Sequence, residues 1–254
     1  MFKFLSGILI GTCMILPGVS GTVIAIMLGI YEDVIYLVNS KDKNKIRKLL
    51  PLILGILIGI FIFGKILLLF YKNYTYQMMY IFIGLILSGI PILIDEIHSK
   101  KEKVNIVYLL ISLLISIIVF IIPVQNDNNL SFFNLFIGGF LYIGGKIIPG
   151  ISSSFFLMIL GLYEYFLSLI TNPFSIDMTF IPFLLGILLG LYVFIKLINY
   201  LLINHFSKTY SSIIGFILGS LVAIFPGFEL TKRGILSFIL MLISLELVSK
   251  ISKK

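Results

Sequence analysis

A chain of 254 residues that is 59% hydrophobic and only 12% charged, with a mean hydropathy of +1.16, has too little polar surface to be a soluble globule. Its net charge of +8 does not point to nucleic acid, because the lysines cluster in short loops beside apolar runs. The single cysteine, Cys13, excludes an internal disulfide and a multi-cysteine metal site, and the two histidines, His98 and His205, fall in short polar loops where solvation is their ordinary role.

The apolar runs predict an all-α polytopic membrane protein, a single integral-membrane domain over residues 1–254. Segments are expected over about residues 2–16 (A), 20–38 (B), 50–70 (C), 76–94 (D) and 104–123 (E). They recur over about 132–148, 153–170, 181–203, 210–227 and 234–250 (A′ to E′). Polar connectors separate them, among them Lys41 to Lys45, Asp95 to Lys103, Gln125 to Asn129 and Thr171 to Asp177. The first segment lacks a small-residue cleavage site and belongs to the repeat, so it reads as structure rather than as a signal peptide.

The recurrence is an internal duplication. Pro17-Gly18-Val19-Ser20-Gly21, followed by Gly29-Ile30-Tyr31-Glu32, returns at an offset of 132 as Pro149-Gly150-Ile151-Ser152-Ser153 with Gly161-Leu162-Tyr163-Glu164. At an offset of 131, Pro51, Gly55, Gly59, Phe63 and Lys65 match Pro182, Gly186, Gly190, Phe194 and Lys196, and Gly84 matches Gly215. The small-xxx-small pairs Gly55/Gly59 and Gly186/Gly190 suit close helix packing. Repeat 1 therefore covers residues 1–123 and repeat 2 residues 132–254.

Parity then sets the architecture. If A and B both span, a repeat crosses five times; if they form a re-entrant hairpin, it crosses three times. Both counts are odd, so the repeats are inverted, as in many secondary transporters with a binding site at the midplane between repeats. Segment A offers about 15 apolar residues before Pro17, short of the roughly 20 needed to cross. This favours a re-entrant helical hairpin broken at Pro-Gly in each repeat. With the N- and C-termini in the cytoplasm, 13 Lys/Arg lie inside and three (Lys72, Lys232 and Arg233) outside, a strong positive-inside bias.

Backbone N–H groups and the positive helix end follow each Pro-Gly turn, next to hydroxyls. Gly18, Ser20, Gly21 and Thr22 in the first copy, and Gly150, Ser152, Ser153 and Ser154 in the second, form candidate cradles for a phosphate or carboxylate. The same residues also suit plain capping of a kinked helix. A lysine in hydrocarbon costs on the order of 3 kcal/mol, so Lys65, Lys146 and Lys196 need partners or roles. Lys65 lies past the centre of C, about 7 Å outward, and Lys196 lies past the centre of C′, which runs the other way, so it is displaced inward. They either bind an anion or snorkel to the nearer interface. Lys146 has no counterpart, since Met14 holds that place. Glu32 and Glu164 are coupling candidates that could exchange protons, bind Na⁺ or pair with a lysine, or else are interfacial acids beside tyrosine anchors. No catalytic residue and no metal or cofactor motif is visible: paired-histidine metal spacing, a Walker loop and an intramembrane Ser–His arrangement are all missing from the sequence.

The doubled Pro-Gly-[Val/Ile]-Ser and Gly-[Ile/Leu]-Tyr-Glu elements resemble the bacterial polyprenyl-phosphate transporter family over essentially the whole chain. In the second copy Ser153 stands where that family's pattern has glycine. The resemblance implies a polyprenyl-phosphate lipid as partner, with membrane lipids around it and no nucleic acid. It also implies return of undecaprenyl phosphate from the outer to the inner leaflet of the bacterial plasma membrane. No bound cofactor is expected, and the repeated glutamates suit coupling to either H⁺ or Na⁺. A small-anion transporter or channel, an integral-membrane lipid enzyme and a non-transporting assembly subunit are the competing readings.

Overall fold

The computed structural model describes residues 2–14, 21–39, 47–63, 66, 69–70, 73–122, 130–151, 153–171 and 178–252. Every element among them is helical. Repeat 1 contributes α1 (Phe2–Cys13), α2 (Gly21–Met27), α3 (Tyr31–Asn39) and α4 (Leu50–Ile58, continued by a π-helical turn over Gly59–Phe63). It is completed by α5 (Thr75–Ser99) and α6 (Ile106–Ile121). Repeat 2 contributes α7 (Phe132–Ile147), α8 (Ser153–Ile159), α9 (Tyr163–Thr171), α10 (Phe180–Asn204), α11 (Phe206–Ile224) and α12 (Lys232–Ser252).

The helix starts follow from local chemistry. Pro51 and Pro182 lie in the first turns of α4 and α10, where a missing N–H costs nothing. Asn105 and Ser131 cap α6 and α7, accepting from the Tyr108 and Asn134 amides at 3.4 Å. Helices α5 and α10, each 25 residues, are long and apolar enough to cross a membrane, and the bent pair α2–α3 would make a third span if counted as one.

The exterior is as apolar as the core. Leu54, Leu57 and Phe61 on α4, Leu114 and Ile118 on α6, Leu188 and Leu189 on α10, and Ile239 and Leu242 on α12 are all exposed. Hydroxyls are buried instead: Ser88, Ser112, Ser116, Ser211, Ser237 and Ser244. Water would not tolerate so continuous an apolar exterior, whereas lipid leaves close packing and internal hydrogen bonds as the drivers of association. The chain is a helical membrane protein.

The sequence places one helix over each B segment, and here the structure differs. Helices α2 and α3 meet at 105°. Gly29 has φ +65°; its N–H bonds the Ile26 carbonyl at 2.8 Å, and the Ile30 N–H bonds Ala25 at 2.9 Å. Gly161 repeats this with φ +67°, bonding Met158 at 3.1 Å, while Leu162 bonds Leu157 at 2.7 Å. Both are helix-ending caps that require a left-handed residue. The glycine of each Gly-x-Tyr-Glu element is thus a stop signal, and its tyrosine begins a new helix.

The two repeats pack by the same pairs. α1 lies on α4 and α7 lies on α10, while α6 lies on α11 and α12 lies on α5. The last two contacts cross between repeats. A Cβ at Gly84 would strike Ser244 Oγ and the Met241 carbonyl; one at Gly215 would strike Ser112 Oγ and the Leu109 carbonyl. Leu109 and Ser112 correspond to Met241 and Ser244 at an offset of 132, so the same crossing is built twice with the roles exchanged. Within each repeat, Gly7 abuts the Leu52 carbonyl and its counterpart Gly139 abuts that of Phe183. The main apolar core joins both halves, with Val23, Ile30, Ile83 and Leu93 from one and Ile198, Ile213 and Ile217 from the other.

Candidate functional site

The second Pro-Gly turn is seated deep in the molecule. Pro149 is fully buried. Gly150 has φ +82°, and a Cβ there would lie 2.7 Å from the Ile217 nitrogen and 2.9 Å from the Phe216 carbonyl carbon. Both the backbone angle and the approach to α11 demand glycine. Ser153 opens α8 and is buried against α7, where a Cβ on Gly145 would come within 2.7 Å of its Cα; Ser154 beside it is half-buried. Ser152 lies outside the described residues.

Lys146 sits in the last turn of α7, half-buried, with Nζ 5.7 Å from the centre of the Tyr142 ring. Among the described residues no carboxylate pairs with it. A cation in this setting, held only by a π face, leaves most of its charge available to an anion.

In the first copy Gly18 and Ser20 lie outside the described residues, as does Lys65. Gly21 opens α2 against the Met14 side chain, and Thr22 beside it is half-buried. Lys196 is on the exposed face of α10, its ammonium bonded to Tyr192 Oη and 4.2 Å above that ring. Neither contact reaches a turn.

The repeated acids have unlike surroundings. Glu32 accepts a hydrogen bond from Tyr210 Oη on α11, and Tyr210 is itself buried. A small cavity of about 170 Å³ joins Glu32 to Asp33, Glu96 and Tyr210. A cleft of about 480 Å³ continues past Lys100, Glu102 and Asn199. Glu164 is exposed and makes no hydrogen bond or ion pair among the described residues. Lys3 and Asp33 form an ion pair at 3.5 Å.

Sequence reasoning missed the groups that tie the copies together. Buried Tyr31 donates to the Ile147 carbonyl at 2.9 Å, so the first Gly-x-Tyr-Glu element holds the approach to the second turn. Its place in the repeated motif was the available signal. Tyr210 gave none, because Met79 stands at the matching position of repeat 1.

A helical membrane protein with an apolar exterior, buried hydroxyls, a buried Pro-Gly turn and, beside that turn, a lysine with no carboxylate partner among the described residues is the class defined by this geometry. The chain belongs to the undecaprenyl phosphate translocase-like family, which it matches over residues 37–237. It is 29% identical over 243 residues to a Staphylococcus aureus protein named polyprenyl-phosphate transporter, covering 89% of this chain and 86% of that one. A Vibrio cholerae protein of the same name is 27% identical over 242 residues, covering 88% of this chain and 77% of that one. No solved structure matches the chain significantly.

Proposed function

We propose that the protein is a transporter, not an enzyme, that moves undecaprenyl phosphate from the outer to the inner leaflet of a bacterial plasma membrane and so recycles the carrier lipid of peptidoglycan assembly. The names carried by its relatives support a polyprenyl phosphate as cargo. The observation that carries the mechanism is the reciprocal packing, α6 on α11 and α12 on α5, with equivalent residues at both crossings. It supports two inverted repeats around a shared midplane site, the arrangement that permits alternating access.

The Lys3–Asp33 ion pair supports a re-entrant hairpin. It brings the first turns of α1 and α3 to one level, as the two ends of a hairpin that enters and returns require. Helix α1, with 12 residues, is about 18 Å long against the roughly 30 Å of hydrocarbon. In this reading α3, beyond the 105° bend, lies along the interface.

In this reading the phosphate is held at the two turns, by Gly18, Ser20, Gly21 and Thr22 on one side and Gly150, Ser152, Ser153 and Ser154 on the other. Lys146 supplies charge to the second turn only. Lys65 and Lys196 attract the head group at opposite leaflets. Glu32, hydrogen-bonded to Tyr210, is the coupling acid for H⁺ or Na⁺; gain or loss of its charge changes what Tyr210 can donate to, and with it the contact between α3 and α11. Both termini face the cytoplasm, as the lysine distribution favours.

Leaflet-resolved transport of labelled undecaprenyl phosphate in liposomes, with and without H⁺ and Na⁺ gradients, tests the reading. Gradient-stimulated movement of the lipid supports it. Transport of soluble phosphate in place of the lipid refutes it.

A further inference from the structure

The cavities differ in the sign of their walls. The cleft at Glu32 is flanked by Asp33 and Glu102 and has one cation, Lys100. Another, of about 330 Å³, lies between α6, α10 and α11 and has no carboxylate among the described residues of its wall. Leu197, Ile198, Ile213 and Phe216 make it apolar along its length. At one end it reaches Ile148, the residue before Pro149; at the other stand Tyr108, His205, Lys208 and Ser212.

His205, Lys208 and Ser212 are three and four residues apart, so they form one stripe on α11 and its cap. Lys208 Nζ lies 5.4 Å from the centre of the Tyr108 ring, and no carboxylate pairs with it among the described residues. The groove therefore has a cationic mouth, an apolar length and an inner end beside the second turn.

We propose that this groove docks the cargo lipid outside the central site, with the phosphate at Lys208 and His205 and the first isoprene units between α10 and α11. The proposal rests on the polyprenyl-phosphate reading above and adds a second station to it. The volume is at the small end of the ~300–1,000 Å³ typical of ligand sites, so it takes one chain segment rather than a whole tail. Leu197 is 42% exposed on the outer wall, which leaves the remainder of the tail in lipid. A phosphate monoester carries about −1.5 to −2 charges near neutral pH and several acceptor oxygens, which the Lys208 ammonium with the His205 and Ser212 side chains beside it suits better than a singly charged diacyl phosphodiester does. At the corresponding places of repeat 1 stand Tyr74 and Gln77, so the His205–Lys208 pair exists in one repeat only. The station retains the head group on one side of the membrane, the side of the α10–α11 connection.

The test uses the full chain in lipid–detergent micelles. Lys208→Gln is expected to weaken undecaprenyl monophosphate binding about tenfold, the scale of one lost charge-assisted contact, while Lys208→Arg keeps it. The chain has no tryptophan. Leu197→Trp therefore reports on the groove alone, and its emission is expected to respond to undecaprenyl monophosphate and not to equimolar phosphatidylglycerol. Wild-type binding by Lys208→Gln, or an equal fluorescence response to phosphatidylglycerol, overturns the station and leaves the function standing. A wild-type chain that binds no undecaprenyl monophosphate overturns the function itself, and the station with it.

Discussion

Gly84 and Gly215 test the two-repeat architecture most directly. A methyl group at Gly84 meets the Met241 carbonyl and Ser244 Oγ; one at Gly215 meets the Leu109 carbonyl and Ser112 Oγ. The serines are held in place, Ser244 bonding Ile81 and Met241 at 3.1 and 2.8 Å, and Ser112 bonding Tyr108 and Leu109 at 2.9 and 3.0 Å. The carbonyls belong to helix backbone, so relief requires the helices to move apart. Gly84→Ala and Gly215→Ala should therefore each cost about 1–3 kcal/mol, the usual range for overpacking. For a chain of this size that is a drop of about 2–12 °C in Tm. Intrinsic tyrosine fluorescence during heating of the detergent-solubilised protein reads this, with Ile239→Ala on the exposed face of α12 as a control that changes little. Adding Ser244→Ala to Gly84→Ala should recover only part of the loss, because the carbonyl remains. A melting curve unchanged for one glycine variant and lowered for the other would refute the equivalence of the two crossings.

Gly29→Ala and Gly161→Ala should each lower stability by about 1–2 kcal/mol, since alanine in a left-handed cap is strained; asparagine at either position should cost less, and thermal melts compare the two. Glu32→Gln should abolish stimulation of transport by an ion gradient while Glu164→Gln preserves it, because only Glu32 is engaged with a buried partner; equal loss in both variants would remove Glu32 from its coupling role. Lys65→Ala and Lys196→Ala should each weaken undecaprenyl phosphate binding more than a lipid-facing Ile→Ala, measured by titration in detergent. Wild-type affinity in both would leave these lysines as interfacial anchors.

Much of the scaffold was legible because it rests on periodicity and small residues. Segment D was expected over 76–94 and is α5, Thr75–Ser99; segment C′ was expected over 181–203 and is α10, Phe180–Asn204. The offset pairing of Gly84 with Gly215 signalled a shared packing role, although not that each would meet the opposite repeat. The break at Gly29 was hidden, because residues 20–38 are apolar on both sides of it and a glycine in such a run fits a tight packing site equally well. What decides is the backbone at φ +65°. His205 and Lys208 looked like loop residues because D′ was expected to begin at 210, whereas α11 begins at Phe206. The spacing of 205, 208 and 212 was the unused signal. The unequal settings of Glu32 and Glu164 had no sequence signature, since they depend on Tyr210, a residue unique to one repeat.

The exchange of helices between halves also bears on how the chain is made. Ser112 and Ser116 of α6 are covered by α11, about a hundred residues further along, and Ser116 bonds the Phe216 carbonyl at 3.4 Å. Until the second half is synthesised, that face of α6 has only lipid beside it, a poor environment for hydroxyls and small residues. The first half therefore waits in the bilayer with an unfinished surface, and α12 then closes the matching gap on α5. Neither half covers its own small-residue faces: each completes the other, and α12 is the helix that seals the first half's remaining open face.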